Sequence, residues 1–154
     1  MRQKTISTAL LVGWVVGFAF LIGGGSRLQA ATVKLQVQLL WGTNDDRSPD
    51  PKHKPVEPDV REKLKELPLK WSHYFEVNRN DFELPPSAAI RVPLSEKCEV
   101  EVRSMGGSKV EVVLYGKGKE TLRRTQALPK GEMLLLGGNA PNATVWLVVL
   151  KRIE

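Results

Sequence analysis

The stretch from Gly42 to Pro55 holds the densest group of side chains that could bind a metal ion. Its polar candidates are Asn44, Asp45, Asp46, Asp50 and His53. Oxygen ligands supplied by a loop are what Ca²⁺ prefers. The stretch lacks the central Gly and the distal Glu of an EF-hand loop, and two prolines stiffen it. We therefore expect a hydrated surface loop, with no bound metal and no other cofactor.

Candidate nucleophiles are few and poorly placed for catalysis. Cys98 is the only cysteine, and it alternates with Val100 and Val102 along an apolar face. We interpret it as a small buried residue rather than as a reactive thiol or an intermolecular bridge. Ser72 and His73 are adjacent on an extended segment, which sends their side chains to opposite faces. We therefore expect no catalytic residues and no enzymatic activity.

Aromatic side chains offer a different chemistry, because a flat exposed ring covers the apolar face of a sugar. The aromatic residues beyond the N-terminal segment include Trp41, Trp71, Tyr74, Phe75, Tyr115 and Trp146. Such residues more often fill a small β core. Trp146 lies within an apolar run, so we expect it in the core. Trp41 and Trp71 flank the polar loop and are the two that could be exposed.

Together the loop and its flanking tryptophans form the predicted contact surface. Its residues are Trp41, Asn44, Asp45, Asp46, Asp50, His53 and Trp71. Loops on rigid scaffolds often carry binding residues, although a tolerated surface insertion is an equally good interpretation. The leading functional expectation is a non-catalytic domain that acts through protein–protein contacts. A carbohydrate-binding module is the alternative, and an enzyme of unrecognised type is the third possibility.

The N-terminal segment has the organisation of an export signal. Arg2 and Lys4 precede an uncharged apolar run, and Leu28-Gln29-Ala30 offers a small-residue cleavage site before Ala31. We expect residues 1–30 to be a cleaved signal peptide, residues 31–154 to form one domain, and the protein to be secreted or periplasmic. The alternative is a retained membrane anchor at residues 9–25, although this run is shorter than the roughly 20 residues that a spanning helix needs.

The net charge of the chain limits the classes of partner that we expect. Half of the formal net charge of +6 belongs to the leader, which contains Arg2, Lys4 and Arg27 and no acid. The remaining charge is too small for a dedicated polyanion binder, so we expect no nucleic-acid partner. Another envelope or secreted protein is the expected partner, and the membrane is one only if the leader is retained.

The segment from Glu96 to Gly118 predicts a β-hairpin. Apolar Val100 and Val102 alternate with charged residues before Gly106-Gly107, and alternation resumes after it with Val110 and Val112. Glu99 and Glu101 could be paired carboxylates of a glycoside hydrolase, but the solvent face of a strand is the simpler interpretation. By the same alternation, Glu111 and Val113 should face solvent.

The rest of the chain predicts an all-β fold. About eight short strands separated by frequent turns indicate a β-sandwich or an open barrel. One short helix, residues 58–67, lies in the long crossover after the first strand, with Val60 and Leu64 on its apolar face. A turn is expected at Asn78–Asp81. Residues 145–150 are apolar on both faces, which is typical of a central strand.

Three stretches carry a resemblance to a known group of proteins. They are LQVQLLWGTND (35–45), KWSHYFEVNR (70–79) and LPKGEMLLLGGNAPNATVWLVVL (128–150). The chain resembles a family of small, uncharacterised, secreted β-rich bacterial proteins. The resemblance implies export and a β-rich fold; it implies no activity and transfers no site residue.

Overall fold

A computed structural model describes residues 31–140 and 143–154, and within them it contains nine strands and one helix. The predicted signal peptide lies outside the described residues. No helix among the described residues is long and apolar enough to cross a bilayer. The elements are β1 (Val33–Thr43), β2 (Lys54–Pro55), α1 (Pro58–Lys65), β3 (His73–Leu84), β4 (Ala89–Ser95), β5 (Cys98–Ser104), β6 (Lys109–Gly116), β7 (Lys119–Ala127), β8 (Met133–Ala140) and β9 (Thr144–Arg152).

The strands form two antiparallel sheets. Sheet A has the order β2-β3-β1-β9-β8, and sheet B has the order β4-β5-β6-β7. The predicted all-β fold class, with one short helix in the first long crossover, is therefore confirmed. β9 lies between β1 and β8, as its two apolar faces predicted.

The main core lies between the two sheets. Alternate residues of β1, including Leu35 and Val37, point from sheet A towards Val100, Val102 and Val112 of sheet B, and all of these side chains are fully buried. The period-two alternation of each strand places one set of apolar side chains on this inner face. Burial of these side chains is the main stabilising contribution that the sequence provides.

Part of the outer face of sheet A is buried as well, under helix α1. Val60 and Leu64 of the helix pack with Leu40, Leu147 and Val149 of the sheet. Proline at the helix start and apolar residues four positions apart explain why this segment forms a helix with one buried side. The helix ends at Lys65, two residues before the predicted end. The molecule thus has three layers: helix, sheet A and sheet B.

The predicted hairpin is present as β5 and β6. Val102 faces Val112 across the ladder, and Gly106 and Gly107 occupy the turn with positive φ values of 94° and 57°. Glycine suits this turn because it has no Cβ to clash there. The expectation that Val113 is exposed to solvent is wrong. Val113 points away from the inner core but is only 1% exposed.

An ion-pair network covers the outer face of sheet B and explains the burial of Val113. Val113 is flanked across the ladder by Glu101 and Arg123. The Arg123 guanidinium donates to Glu111 at 2.9 Å and to Glu120 at 2.8 Å. Long charged side chains shield apolar surface with their stems while their heads stay in water. Glu111 is therefore a charged hub and not an isolated solvent-facing residue.

The predicted turn at Asn78–Asp81 is absent, and β3 runs on through it. These residues pair in sequence with β1, after a register shift that lies between Leu39 and Leu40. The polar composition is typical of a turn, but the side chains have partners within the sheets: Asn78 donates to the Leu94 carbonyl at 2.9 Å. Long-range pairing overrode the local turn preference.

Candidate functional site

Sheet A extends beyond sheet B at one end of the sandwich, and this end carries two tryptophans. Val148 and Leu150 of β9 lie in the inner core, whereas Trp146, on the same face of the strand, is 43% exposed. Trp41 of β1 lies directly opposite Trp146 in the ladder and is half-buried. The expectation that Trp146 belongs to the core is therefore wrong, because the covering sheet ends before it.

These two tryptophans line an open groove of about 750 Å³, called here the tryptophan groove. The loop after β1 forms its wall, and the facing ends of β8 and β9 complete it. Its lining residues are Trp41, Asp45, Asp46, Arg47, Ser48, Pro49, Ala140, Thr144 and Trp146. The groove therefore joins two indole rings to carboxylate, guanidinium and hydroxyl groups.

Two neighbouring rings, Phe75 and His53, pack near Trp41. The Phe75 ring, on the facing strand, has its centroid 6.1 Å from that of Trp41. The His53 ring lies 6.2 Å from Trp41 at an interplanar angle of 56°. Tilted aromatic pairs at these separations are favourable. Trp41 therefore has a fixed orientation at the edge of the groove.

Local hydrogen bonds shape the groove wall. The Asp45 backbone N–H donates to Thr43 Oγ1 at 3.1 Å, and Ser48 Oγ lies 2.6 Å from His53 Nδ1. Asp50 accepts from the Lys52 N–H at 2.8 Å and closes the next turn. Side chains of Thr, Ser and Asp commonly fix turns in this way. His53 and Asp50 thus support the wall rather than lining it.

A side-chain contact ties the start of the loop to the residue that precedes β3. The Asn44 side-chain oxygen accepts from the Ser72 N–H at 3.1 Å and lies 3.3 Å from the Ser72 hydroxyl. Because this bond joins residues far apart in sequence, it fixes where the loop leaves the sheet. Asn44 is therefore a positioning residue, and with Trp71 it lines a neighbouring hollow of about 530 Å³ rather than the tryptophan groove itself.

Glycines on either side of the tryptophans permit the arrangement. A Cβ at Gly42 would lie 2.8 Å from the Tyr74 ring, so only glycine lets Tyr74 pack there. Gly138 is the ladder neighbour of Trp146, and a Cβ at Gly138 would meet no atom within 4 Å. The indole of Trp146 therefore has open space over the adjacent strand.

Behind Trp146 lies a smaller apolar pocket of about 270 Å³. It is lined by Leu39, Ser95, Lys97, Cys98 and Trp146, so it opens between sheet A and the turn that joins β4 to β5. Cys98 is half-buried here, and burial raises its pKa, with Glu99 acting in the same direction. A raised pKa keeps the thiol protonated and poorly nucleophilic.

Trp71 lies on the opposite face of sheet A. Its indole N–H donates to the Ala143 carbonyl at 2.7 Å, and its ring packs against the cluster under α1. Trp41 and Trp71 therefore do not form one platform, although both flank the loop in sequence. Of the seven predicted contact residues, Trp41, Asp45 and Asp46 line the tryptophan groove, while Asn44, Asp50 and His53 hold its wall.

A separate polar hollow of about 490 Å³ lies beside β2 and β3. Lys52, Lys54, Glu76 and Arg79 are among its lining residues. Arg79 donates to Glu76 at 2.5 Å and also to Glu57. The hydrogen bond to Glu76 is the main reason that the pKa of Arg79 is raised. Since these charges already satisfy one another, this hollow is the weaker candidate for ligand binding. Among the described residues, no group of three or more His, Cys, Asp or Glu is arranged to hold a metal ion.

Six residues that line the groove were not among the predicted contact residues: Arg47, Ser48, Pro49, Ala140, Thr144 and Trp146. The first three lie in the loop that was singled out, but nothing in their order shows which side chains turn inwards. A signal for Trp146 was present in the pairing of the last two strands, where Gly137 and Gly138 leave the neighbouring positions without side chains. Recognising it required the register of β8 against β9.

Comparison with known proteins gives no relative: no family model, no curated protein and no solved structure matches the chain. The resemblance to small secreted β-rich proteins thus stays a prediction, and the groove itself carries the functional argument.

Proposed function

We propose that the protein is a non-catalytic carbohydrate-binding domain whose ligand lies in the tryptophan groove. The observation that carries the proposal is the pairing of Trp41 with the exposed Trp146 in an open groove walled by Asp45 and Asp46. A pyranose ring has C–H groups on its faces and hydroxyls on its rim. Indole rings cover the former, and carboxylates accept hydrogen bonds from the latter.

The arrangement of the carboxylates supports binding without hydrolysis. Glycosidases place two carboxyl groups on either side of the scissile bond. Asp45 and Asp46 are consecutive residues of a single wall. His53 contacts Ser48 and Trp41 and does not line the groove.

Export fits the same proposal. A cleaved leader would release residues 31–154 into a compartment where polysaccharides are accessible. The mass of the protein recovered from the extracytoplasmic fraction tests this, because cleavage after Ala30 predicts an N-terminus at Ala31.

Binding can be measured by affinity electrophoresis in gels that contain soluble neutral polysaccharides, together with a glycan array. We expect Trp146→Ala to lower affinity at least about tenfold, since an exposed aromatic anchor is removed while the core stays intact. Asp46→Asn should weaken binding less. Trp71→Phe is the matched control, because Trp71 lies on the other face of the sheet, and it should bind like wild type. Release of reducing sugars would contradict the non-catalytic proposal.

Protein recognition by the same groove is the second candidate. Tryptophan and arginine are the residue types that dominate protein–protein hot spots, and Trp146 and Arg47 line one groove. Failure to bind any glycan, combined with a native protein complex that Trp146→Ala disrupts and Trp71→Phe retains, would favour this candidate over the first.

A further inference from the structure

Three of the four sheet edges are protected against strand addition. β2 pairs with only two residues of β3, and the rest of that edge, on β3, carries Arg79, Asp81 and Glu83. β4 contains Pro93 and a register shift between Pro93 and Ser95. β7 is long but highly charged, with Lys119, Glu120, Arg123 and Arg124. Short length, proline with irregular register, and charge are the usual means by which proteins block an open edge.

β8, the fourth edge, has none of these protections. Its eight residues, MLLLGGNA, include no ionisable side chain and no proline. In the part of the chain that the structure describes, β8 is paired with β9 alone. A long neutral edge strand with free backbone groups is a template for another strand.

Apolar surface lies directly beside this edge. A shallow hollow of about 280 Å³ is lined by Leu69, Trp71 and Leu135, among others, on the helix side of sheet A. Leu135 and Met133 are only partly buried there. A strand added to β8 would therefore cover apolar side chains as well as satisfy backbone hydrogen bonds.

We propose that β8 is a homodimer interface, at which two copies pair antiparallel and join their five-stranded sheets into one. With Leu136 on the two-fold axis, Leu134 faces Gly138 of the second copy and Leu135 faces its Gly137. Leu134 and Leu135 are then each opposite a glycine and Leu136 faces its own copy, so the sequence Leu-Leu-Leu-Gly-Gly is complementary to its own reverse.

A second copy fits this edge better than a foreign strand does. β8 presents no charge, so self-pairing brings no like charges together, whereas self-pairing of β7 about Arg123 would place two arginines opposite each other. Because β8 is the one unprotected edge found in the described residues, pairing satisfies both copies and leaves no edge for a third. Such an isologous contact closes as a dimer and does not extend into a fibre.

Sedimentation equilibrium of the protein, purified after expression of the full chain, tests the proposal. We expect a monomer–dimer equilibrium in the micromolar range, between about 1 and 100 µM. Gly138→Lys should weaken dimerisation at least about tenfold, because it adds a charge to the new interface while a Cβ at Gly138 meets no atom within 4 Å. Circular dichroism and urea unfolding confirm that the variant stays folded.

Leu122→Lys is the matched control. Leu122 is 36% exposed on β7, so the same charge is added to the other long edge, and dimerisation should not change. Hydrogen exchange of wild type gives an independent measure: protection of the β8 amides should rise with protein concentration, and that of β7 should not. A wild type that stays monomeric throughout the concentration range overturns the proposal and leaves β8 to a strand of a different protein. Dimers that Gly138→Lys leaves intact overturn it equally.

Discussion

The two sheets differ in how their outer faces are covered, and this difference indicates where the molecule can bind a ligand. Sheet B exposes its outer face to water, but the charges there pair with one another around Glu111 and Arg123. Sheet A is covered by sheet B on one face and in part by α1 on the other, and at one end Trp41 and Trp146 line an open groove. The charged side chains on the exposed face of sheet B pair with one another, whereas the end of sheet A leaves aromatic surface exposed to solvent.

The largest loss of stability is expected at two adjacent positions of β9, because a charge should be destabilising on either face of this strand. Val148 faces sheet B and Val149 faces helix α1, and both are buried. We expect Val148→Asp and Val149→Asp each to lower the free energy of unfolding by more than about 3 kcal/mol, because each leaves a carboxylate buried without a partner. Urea unfolding measures the loss.

Sheet B supplies the control pair for that experiment. Val100→Asp should be equally damaging, whereas Glu99→Ala, at the adjacent outward position, should cost less than about 1 kcal/mol because it removes only an exposed pair with Arg91. A mild effect of Val149→Asp would mean that α1 does not seal the outer face of sheet A.

Two neighbouring glycines of β8 should respond differently, which tests how closely the end of sheet A is packed. A Cβ at Gly137 would lie 2.7 Å from the Trp146 carbonyl oxygen and would also meet the Leu147 side chain, whereas Gly138 faces open space. We expect Gly137→Ala to destabilise by about 1–3 kcal/mol through overpacking. Gly138→Ala should stay within about 0.5 kcal/mol of wild type. Equal thermal unfolding of the two variants would show that the register of β8 against β9 is wrong.

The smallest expected effect concerns the ion pair that joins α1 to sheet A. Lys151 of β9 donates to the Asp59 carboxylate, and this bond is the main reason that the Asp59 pKa lies below its ordinary value of 3.8; the Val60 N–H acts in the same direction. Because the folded pKa is lower than the unfolded one, the contribution to stability is present above pH 3.8 and is lost as the pH falls through the folded pKa.

A double-mutant cycle with Asp59→Asn and Lys151→Met isolates this coupling. Since the carboxylate is partly exposed, we expect less than about 1 kcal/mol at pH 7, decreasing as acidification protonates Asp59. Coupling that grows on acidification would contradict the assignment.

The contrast between the sheets also explains how much of the structure the sequence could predict. In β5 and β6 one face is buried and the other is wet, so strict alternation gave the correct hairpin and the pairing of Val102 with Val112. In β9 both faces are buried, so its position as a central strand was predictable. The exposure of Trp146 was not, because it depends on where another sheet ends.

The groove wall was predictable only in part. The polar composition of residues 42–55 indicated a surface loop. Three of the seven predicted contact residues, Trp41, Asp45 and Asp46, do line the groove. Their arrangement depends on contacts such as Asn44 with Ser72 and Trp41 with His53. Those contacts join distant or irregular segments, for which the sequence has no periodic signal.

The central position of β9 also determines when the domain can fold. β1 pairs with β9 along residues such as Val37 and Leu150, which are separated by about a hundred positions, so sheet A stays incomplete until the last strand has emerged. Such distant pairing is slow, so sheet A cannot be completed while the chain is still being synthesised. If the leader directs export, the domain would reach a translocation pore before sheet A is complete, and the neutral β8 segment stays unpaired until β9 arrives beside it.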